Sequence, residues 1–260
     1  MYNLKGLLDR YKNDSVLIRT MALNDFRAKF AGSLLGVLWA FINQFITLAM
    51  FFFVFTVGFR ASPVENFPYF LWLSCGMVPW FFFQEAWPRS TDSILEYNYL
   101  VKRTAFHADY LPLVRILSAF LVHTVFLFLL MLIFVIQGFM PSVYWAQIVY
   151  YVLCNFVLIS SLSLITSSIV VFYRDVSQFI AIFMSVLFWM TPLCWEPPRP
   201  LIIYNPVSYV VSGFRDSMVF NVWFWEKPFE TTVFWIITLF LFVCGIFCFR
   251  RLRPHFAEVL

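Results

Sequence analysis

Charge is what this 260-residue chain has least of. Only 12% of its residues are Asp, Glu, Lys or Arg, about half the share of an ordinary soluble domain. Glycine is sparse as well. The eight glycines (6, 32, 36, 58, 76, 138, 213 and 245) form no phosphate-binding loop followed by Lys. His107, His123 and His255 are dispersed and have no zinc spacing. The five cysteines are odd in number and sit in or beside apolar runs, which argues against a disulfide framework. Cys244 and Cys248 share a helix face as small packing residues. No carboxylate pair sits at a membrane surface in the manner of a metal-dependent sugar transferase. With so little charge and 62% of its residues hydrophobic, the composition excludes a soluble enzyme, a disordered chain and a nucleic-acid binder.

What is present is apolar. Hydrophobic residues make up 62% of the chain, with 35 Phe, 10 Trp and 12 Tyr, and the mean hydropathy is +0.81. One soluble core cannot bury that much apolar surface. The expected fold is therefore all-α and polytopic, crossing a membrane.

The charge-free stretches set the architecture. They run 30 residues between Lys29 and Arg60, 19 between Glu65 and Glu85, 58 between Arg115 and Arg174, 20 between Asp175 and Glu196, and 19 between Glu230 and Arg250. A helix needs about 20 apolar residues to cross a bilayer. The longest stretch is two spans, parted at Gln137–Ser142 where Gly and Pro punctuate a turn. Six helices are predicted near 34–58, 68–87, 113–136, 144–171, 177–195 and 231–249. They divide the chain into an interfacial segment 1–33, a transmembrane domain 34–249 and a tail 250–260. With the N-terminus inside, fourteen of the Lys and Arg residues fall inside and four outside, so the positive-inside rule places both termini in the cytoplasm. The first apolar run starts near Leu34 and is too long for a cleavable signal.

Residues 1–30 interleave basic and apolar positions. Leu4, Leu7, Leu8 and Tyr11 keep helical spacing, Asn13-Asp14-Ser15 reads as a break with a new N-cap, and a second helical piece follows. An amphipathic helix in the inner headgroup layer fits this pattern; so does a solvated basic tail. In the inside loop 88–112, Ser90-Thr91-Asp92-Ser93 offers N-caps before Ile94, and six apolar or aromatic residues suggest a docking surface. The outer segment 196–230 holds apolar pieces too short to span. There Asn205-Pro206 reads as an N-cap followed by Pro at the first helical position, and a re-entrant helical hairpin is the expectation. Glu85 is expected to pair with Arg89 or Arg115, and His123 to serve in packing. Gly32-x-x-x-Gly36 and the serines of the fourth span fit close helix packing; polar groups that wet a pore are the alternative reading.

Four blocks resemble the permease subunits of ABC exporters for cell-surface polysaccharides. They are Asp25–Asn43, Gly76–Phe82 continuing to Ser93–Arg103, Tyr173-Arg174-Asp175 with Thr191-Pro192, and Tyr204-Asn205-Pro206 to Phe214-Arg215-Asp216. The ending Phe256–Leu260 is similar to the O-antigen branch of that family. The chain departs at Gln44 and His107, where many relatives carry Pro. The resemblance implies a homodimer in the bacterial inner membrane with two copies of a separate ATP-binding subunit. ATP and Mg would act in that partner, and no cofactor in this chain. The cargo would be a polyprenyl-diphosphate-linked polysaccharide: O-antigen, capsule or teichoic acid. Loop 88–112 occupies the family's coupling position, so Asn98, Tyr99, Leu100, Lys102 and Arg103, with Arg174 and Asp175, are candidate contacts to the ATPase. Arg27 and Lys29 are candidates for the pyrophosphate, since charge-assisted bonds suit it. Trp39, Trp80, Phe81, Phe82 and Tyr204, together with Arg215, are candidates for the glycan; each aromatic also fits a lipid-facing or interfacial position. A permease for a drug or lipid, or a membrane enzyme acting on lipid-linked sugars, stands as the alternative.

Overall fold

A computed structural model describes residues 4–60, 67–102, 107–195 and 198–260, with side chains from Asp14 onward apart from those at 201 and 257. Arg103, a candidate partner contact, lies outside the described residues. Every regular element among them is helical.

The chain opens with α1 (Leu4–Phe30), a single helix of 27 residues. The expected break at Asn13-Asp14-Ser15 is absent. Asp14 does not cap a new helix; its carboxylate accepts a hydrogen bond from Tyr110 Oη at 2.8 Å, so a distant partner satisfies it. The Gly32-x-x-x-Gly36 pair also plays another part. Gly32 (φ 78°) and Gly36 (φ 50°) adopt left-handed backbone in the turn after α1, and no atom lies within 4 Å of a Cβ built on either. They form a turn that L-residues take at a cost of roughly 1–2 kcal/mol each, not a helix-packing face.

After that turn, α2 (Leu38–Phe53) runs into a π-turn, Val54–Gly58. Ala40 is the one residue it buries. Next comes α3 (Tyr69–Thr91), buried along nearly its whole length although Pro79 and Pro88 interrupt it. Two short helices follow, α4 (Ser93–Glu96) and α5 (Asn98–Val101). The long α6 (Tyr110–Ile136) and α7 (Ile148–Val170) are separated by a turn at Gly138 (φ 88°), where Gly and Pro mark the break in the sequence. Then come α8 (Asp175–Met190), α9 (Arg199–Tyr204), α10 (Pro206–Arg215), α11 (Pro228–Leu252) and α12 (Phe256–Val259). Each long apolar helix lies where a charge-free run predicts one.

Among the described residues, four segments are long and apolar enough to cross a membrane: Leu38–Gly58, Tyr110–Ile136, Val143–Val170 and Pro228–His255. The other two predicted spans differ for separate reasons. The α3 helix has the length, but Tyr, Trp, Ser, Pro and Gln dilute its apolarity; it is the internal post on which α2, α6, α7 and α10 pack. The α8 helix has only 16 residues, about 24 Å at 1.5 Å per residue, short of a hydrocarbon core of about 30 Å.

The core is largely aromatic. Phe82 stacks on His123 with centroids 4.8 Å apart, and Tyr209 stacks on Phe234 at 4.6 Å. Gly213 admits the Tyr151 ring so closely that a Cβ there would sit 2.0 Å from its Cε1. The predicted cap at α10 forms: Asn205 Oδ1 accepts from the Val207 N–H at 3.0 Å, with Pro206 in the first turn. This places α10 inside the bundle, with Val210, Val211 and Phe214 fully buried.

Candidate functional site

Helix α8 carries Ala181, Met184, Ser185, Phe188 and Trp189 on one stripe, at spacings of three and four. That stripe faces α3 across a groove of about 470 Å³. Thr47 and Phe51 of α2 close a second side, and Met77, Trp80, Gln84 and Pro88 of α3 form the floor. Phe188 holds the walls together: its ring lies 5.0 Å from Phe51 and 5.6 Å edge-on from Trp80. Pro88 has no N–H to offer the Gln84 carbonyl, and both residues line the groove. Beyond Trp189 and Phe51 lies a second, wholly apolar hollow of about 400 Å³, reaching Phe55, Phe59 and Trp195. Together they make one track along the α2–α8 side, from Pro88 at one end to Trp195 at the other.

Among the described residues, the lining of the track contains no charged side chain. It offers aromatic faces and a few uncharged polar groups, a surface suited to weak and repeated contact with a sugar chain. The flanks of the track are bare. Phe45 and Met50 on α2 are more than half exposed, as are Phe179 and Ile182 on α8.

At the Pro88 end stands a network of ions. Asp25 of α1, with its side chain only 2% exposed, meets Arg115 of α6 at 2.5 Å and Arg89 of α3 at 3.3 Å. Tyr97 Oη donates to the same carboxylate at 2.9 Å, and Arg115 lies 4.8 Å from the centre of the Tyr97 ring. Burial, and then the Asp25 carboxylate, push the Tyr97 hydroxyl up to about 12, so it remains a donor. Arg115 also reaches Glu96, and Lys29 pairs with Glu85. Glu85 meets Arg89 at 3.2 Å in spite of the intervening Pro88; Arg115, its other expected partner, is held by Asp25 and Glu96. One buried carboxylate therefore joins α1, α3, α6 and the α4–α5 turn.

That turn is tied to the start of α8 as well, because Ser177 Oγ donates to Asp92 Oδ1 at 2.5 Å. Asn98, Tyr99, Lys102, Arg174 and Asp175 are exposed there and Leu100 is half-buried.

Comparison with known proteins fits this arrangement. Residues 16–219 match the family model for the membrane component of the ABC-2 type transporter. The chain belongs to that family. It is thus a permease, a transporter component and not an enzyme, and such a permease works with an ATP-binding partner subunit. Two proteins of Klebsiella pneumoniae named O-antigen export system permease protein RfbA are each 24% identical to it over 266 residues, covering 100% of this chain and 98% of the relative. A protein of the same name from Myxococcus xanthus is 24% identical over 207 residues, covering 76% of this chain and 78% of its own.

Among the candidate glycan contacts of this ABC-2 permease, Trp80 lies in the track. Phe81 and Phe82 turn the other way, toward Phe126 and Phe120 of α6. Trp39 is exposed in the first turn of α2, and Tyr204 is exposed at the end of α9. Arg215 is buried: it donates to the carbonyls of Trp72, Pro192 and Leu193 and lies 3.5 Å over the Trp72 ring. That geometry makes it a clasp for irregular backbone after α8. Lys29 stands beside the Pro88 end through Glu85, the neighbour of Gln84, and Arg27 is exposed on the same helix. Sequence reasoning passed over Met77, Gln84, Ser185 and Trp189; the five-residue stripe on α8 was the available signal.

Proposed function

We propose that the chain is the permease subunit of an ATP-driven exporter that moves O-antigen, as a polyprenyl-diphosphate-linked polymer, across the bacterial cytoplasmic membrane. The observation that carries this reading is the track along α2, α3 and α8. Its lining is aromatic, polar and uncharged, and it is open on the side where α2 and α8 have bare flanks. A second copy of the chain facing it closes the track into a conduit. Weak contacts along such a path let a polymer slide, where tight binding would stall it. The names of the relatives support the choice of cargo.

In this reading α2, α3, α6, α7, α8 and α11 cross the membrane, both termini are cytoplasmic, and α9 and α10 form a re-entrant pair at the outer side. The α8 helix is short because protein, not lipid, surrounds part of it. Two copies of the ATP-binding subunit, holding ATP and Mg, dock on Tyr99, Leu100 and Lys102 with Arg174 and Asp175. The Asp25 network carries their movement to α1, where Lys29 and Arg27 meet the pyrophosphate at the mouth of the track. Deletion in a strain without a paralogue tests the reading. Lipid-linked polymer should accumulate on the cytoplasmic face and surface glycan should vanish; surface glycan at the normal level overturns it.

A further inference from the structure

A separate cavity of about 550 Å³ lies between α6, α7 and α11 and shares no lining residue with the track. Its walls are apolar, formed by Leu113, Leu164, Ile246 and Phe249. Its mouth is charged, with Arg250 and Arg253 from the end of α11 opposite Asp109 at the start of α6. Arg253 lies 3.5 Å from Asp109 and 3.5 Å from the His107 ring nitrogen. Tyr110, another lining residue, is held by Asp14 of α1. The mouth therefore opens at the level of α1, at headgroup depth, and the apolar slot runs from there along the long helices.

Two features of the mouth select an occupant. Two guanidinium groups against one carboxylate give the mouth a surplus of positive charge, which calls for a negatively charged ligand. Asp109 Oδ1 is buried and accepts no hydrogen bond among the described residues; Arg253 stands 3.5 Å and the His107 ring nitrogen 3.7 Å away. It calls for a donor on the same ligand. Basic pockets between membrane helices hold acidic head groups in this way.

We propose that this cavity binds an acidic phospholipid of the phosphatidylglycerol type. The phosphodiester sits between Arg250 and Arg253, a glycerol hydroxyl donates to Asp109 Oδ1, and one acyl chain lies along Leu113, Leu164, Ile246 and Phe249. The lipid joins the cytoplasmic ends of α6, α7 and α11 at a position remote from the polymer path.

Native mass spectrometry of the full-length chain, released from micelles holding equal amounts of phosphatidylglycerol, phosphatidylethanolamine and phosphatidylcholine, tests this directly. One phosphatidylglycerol per chain is expected in preference to the other two. Arg250→Gln and Arg253→Gln should each lower its occupancy about fivefold, the loss of one surface cation near a head group. Arg251→Gln, an exposed neighbour outside the cavity, should leave it unchanged. Equal binding of the three lipids by the unaltered chain overturns the proposal, as does a loss with Arg251→Gln matching that of the other two. Preferential uptake of polyprenyl phosphate added to the same micelles also overturns it, since it would make the cavity a cargo site.

Discussion

Replacing Asp25 by Ala tests the buried network most severely. The substitution leaves Arg115, itself largely buried, and Arg89 without their shared carboxylate, and it removes the acceptor of the Tyr97 hydroxyl. Breaking a buried ion pair on one side typically costs about 3–5 kcal/mol. Here Arg115 keeps Glu96 and Arg89 keeps Glu85, so the lower end, about 3 kcal/mol, applies. For a chain of this size that corresponds to a fall in the thermal midpoint of about 6–12 °C. Thermal unfolding of the purified chain in detergent reads this, and a double-mutant cycle with Arg115→Ala isolates the pair, with an expected coupling of about 1–3 kcal/mol. A midpoint within 2 °C of the unaltered chain, or a coupling near zero, would refute the argument that Asp25 is the joint between α1 and the α4–α5 turn.

Three further outcomes follow. In Gly76→Ala the new Cβ would lie 2.6 Å from Arg215 Nη2, pushing the guanidinium off its carbonyls; a loss of about 1–3 kcal/mol is expected, and a thermal midpoint equal to that of the unaltered chain would count against the clasp. Met184→Trp fills the groove from α8, so surface polysaccharide should fall at least about tenfold, a barrier increase near 1.4 kcal/mol, while expression and ATPase association persist; export at the normal rate would contradict a polymer path there. Tyr99→Ala combined with Lys102→Glu removes exposed groups of the α4–α5 turn and should reduce co-purification of the ATP-binding subunit about tenfold, whereas undiminished co-purification would remove that turn from the contact.

The helices were legible in the sequence because bilayer crossing depends on local apolarity: each charge-free run holds a helix, and the longest run holds two. The Asn205-Pro206 cap was legible for a related reason: a cap is decided within three residues. What depended on distant partners was not. Asn13-Asp14-Ser15 reads as a cap until Tyr110 supplies the missing hydrogen bond. Gly32 and Gly36 have the spacing of a packing motif, and only the positive φ angles reveal a turn. The candidate site divides along the same line. Trp80, Phe81 and Phe82 are consecutive, so about 100° of rotation separates each from the next on a helix. Which one faces the track is decided by where α6 packs, and that choice falls on Trp80. Arg215 was read by its charge, yet its place is decided by three backbone carbonyls, one on α3 (Trp72) and two in the irregular segment after α8 (Pro192 and Leu193).

The polymer path itself is most directly tested by photo-crosslinking in living cells. A photoreactive residue at Ser185 or Thr47, both in the groove, should yield adducts carrying the glycan during active export. The same residue at Ile236 or Phe240, exposed on α11, should yield none. Glycan adducts at the α11 positions and none at Ser185 or Thr47 would contradict a path between α2, α3 and α8.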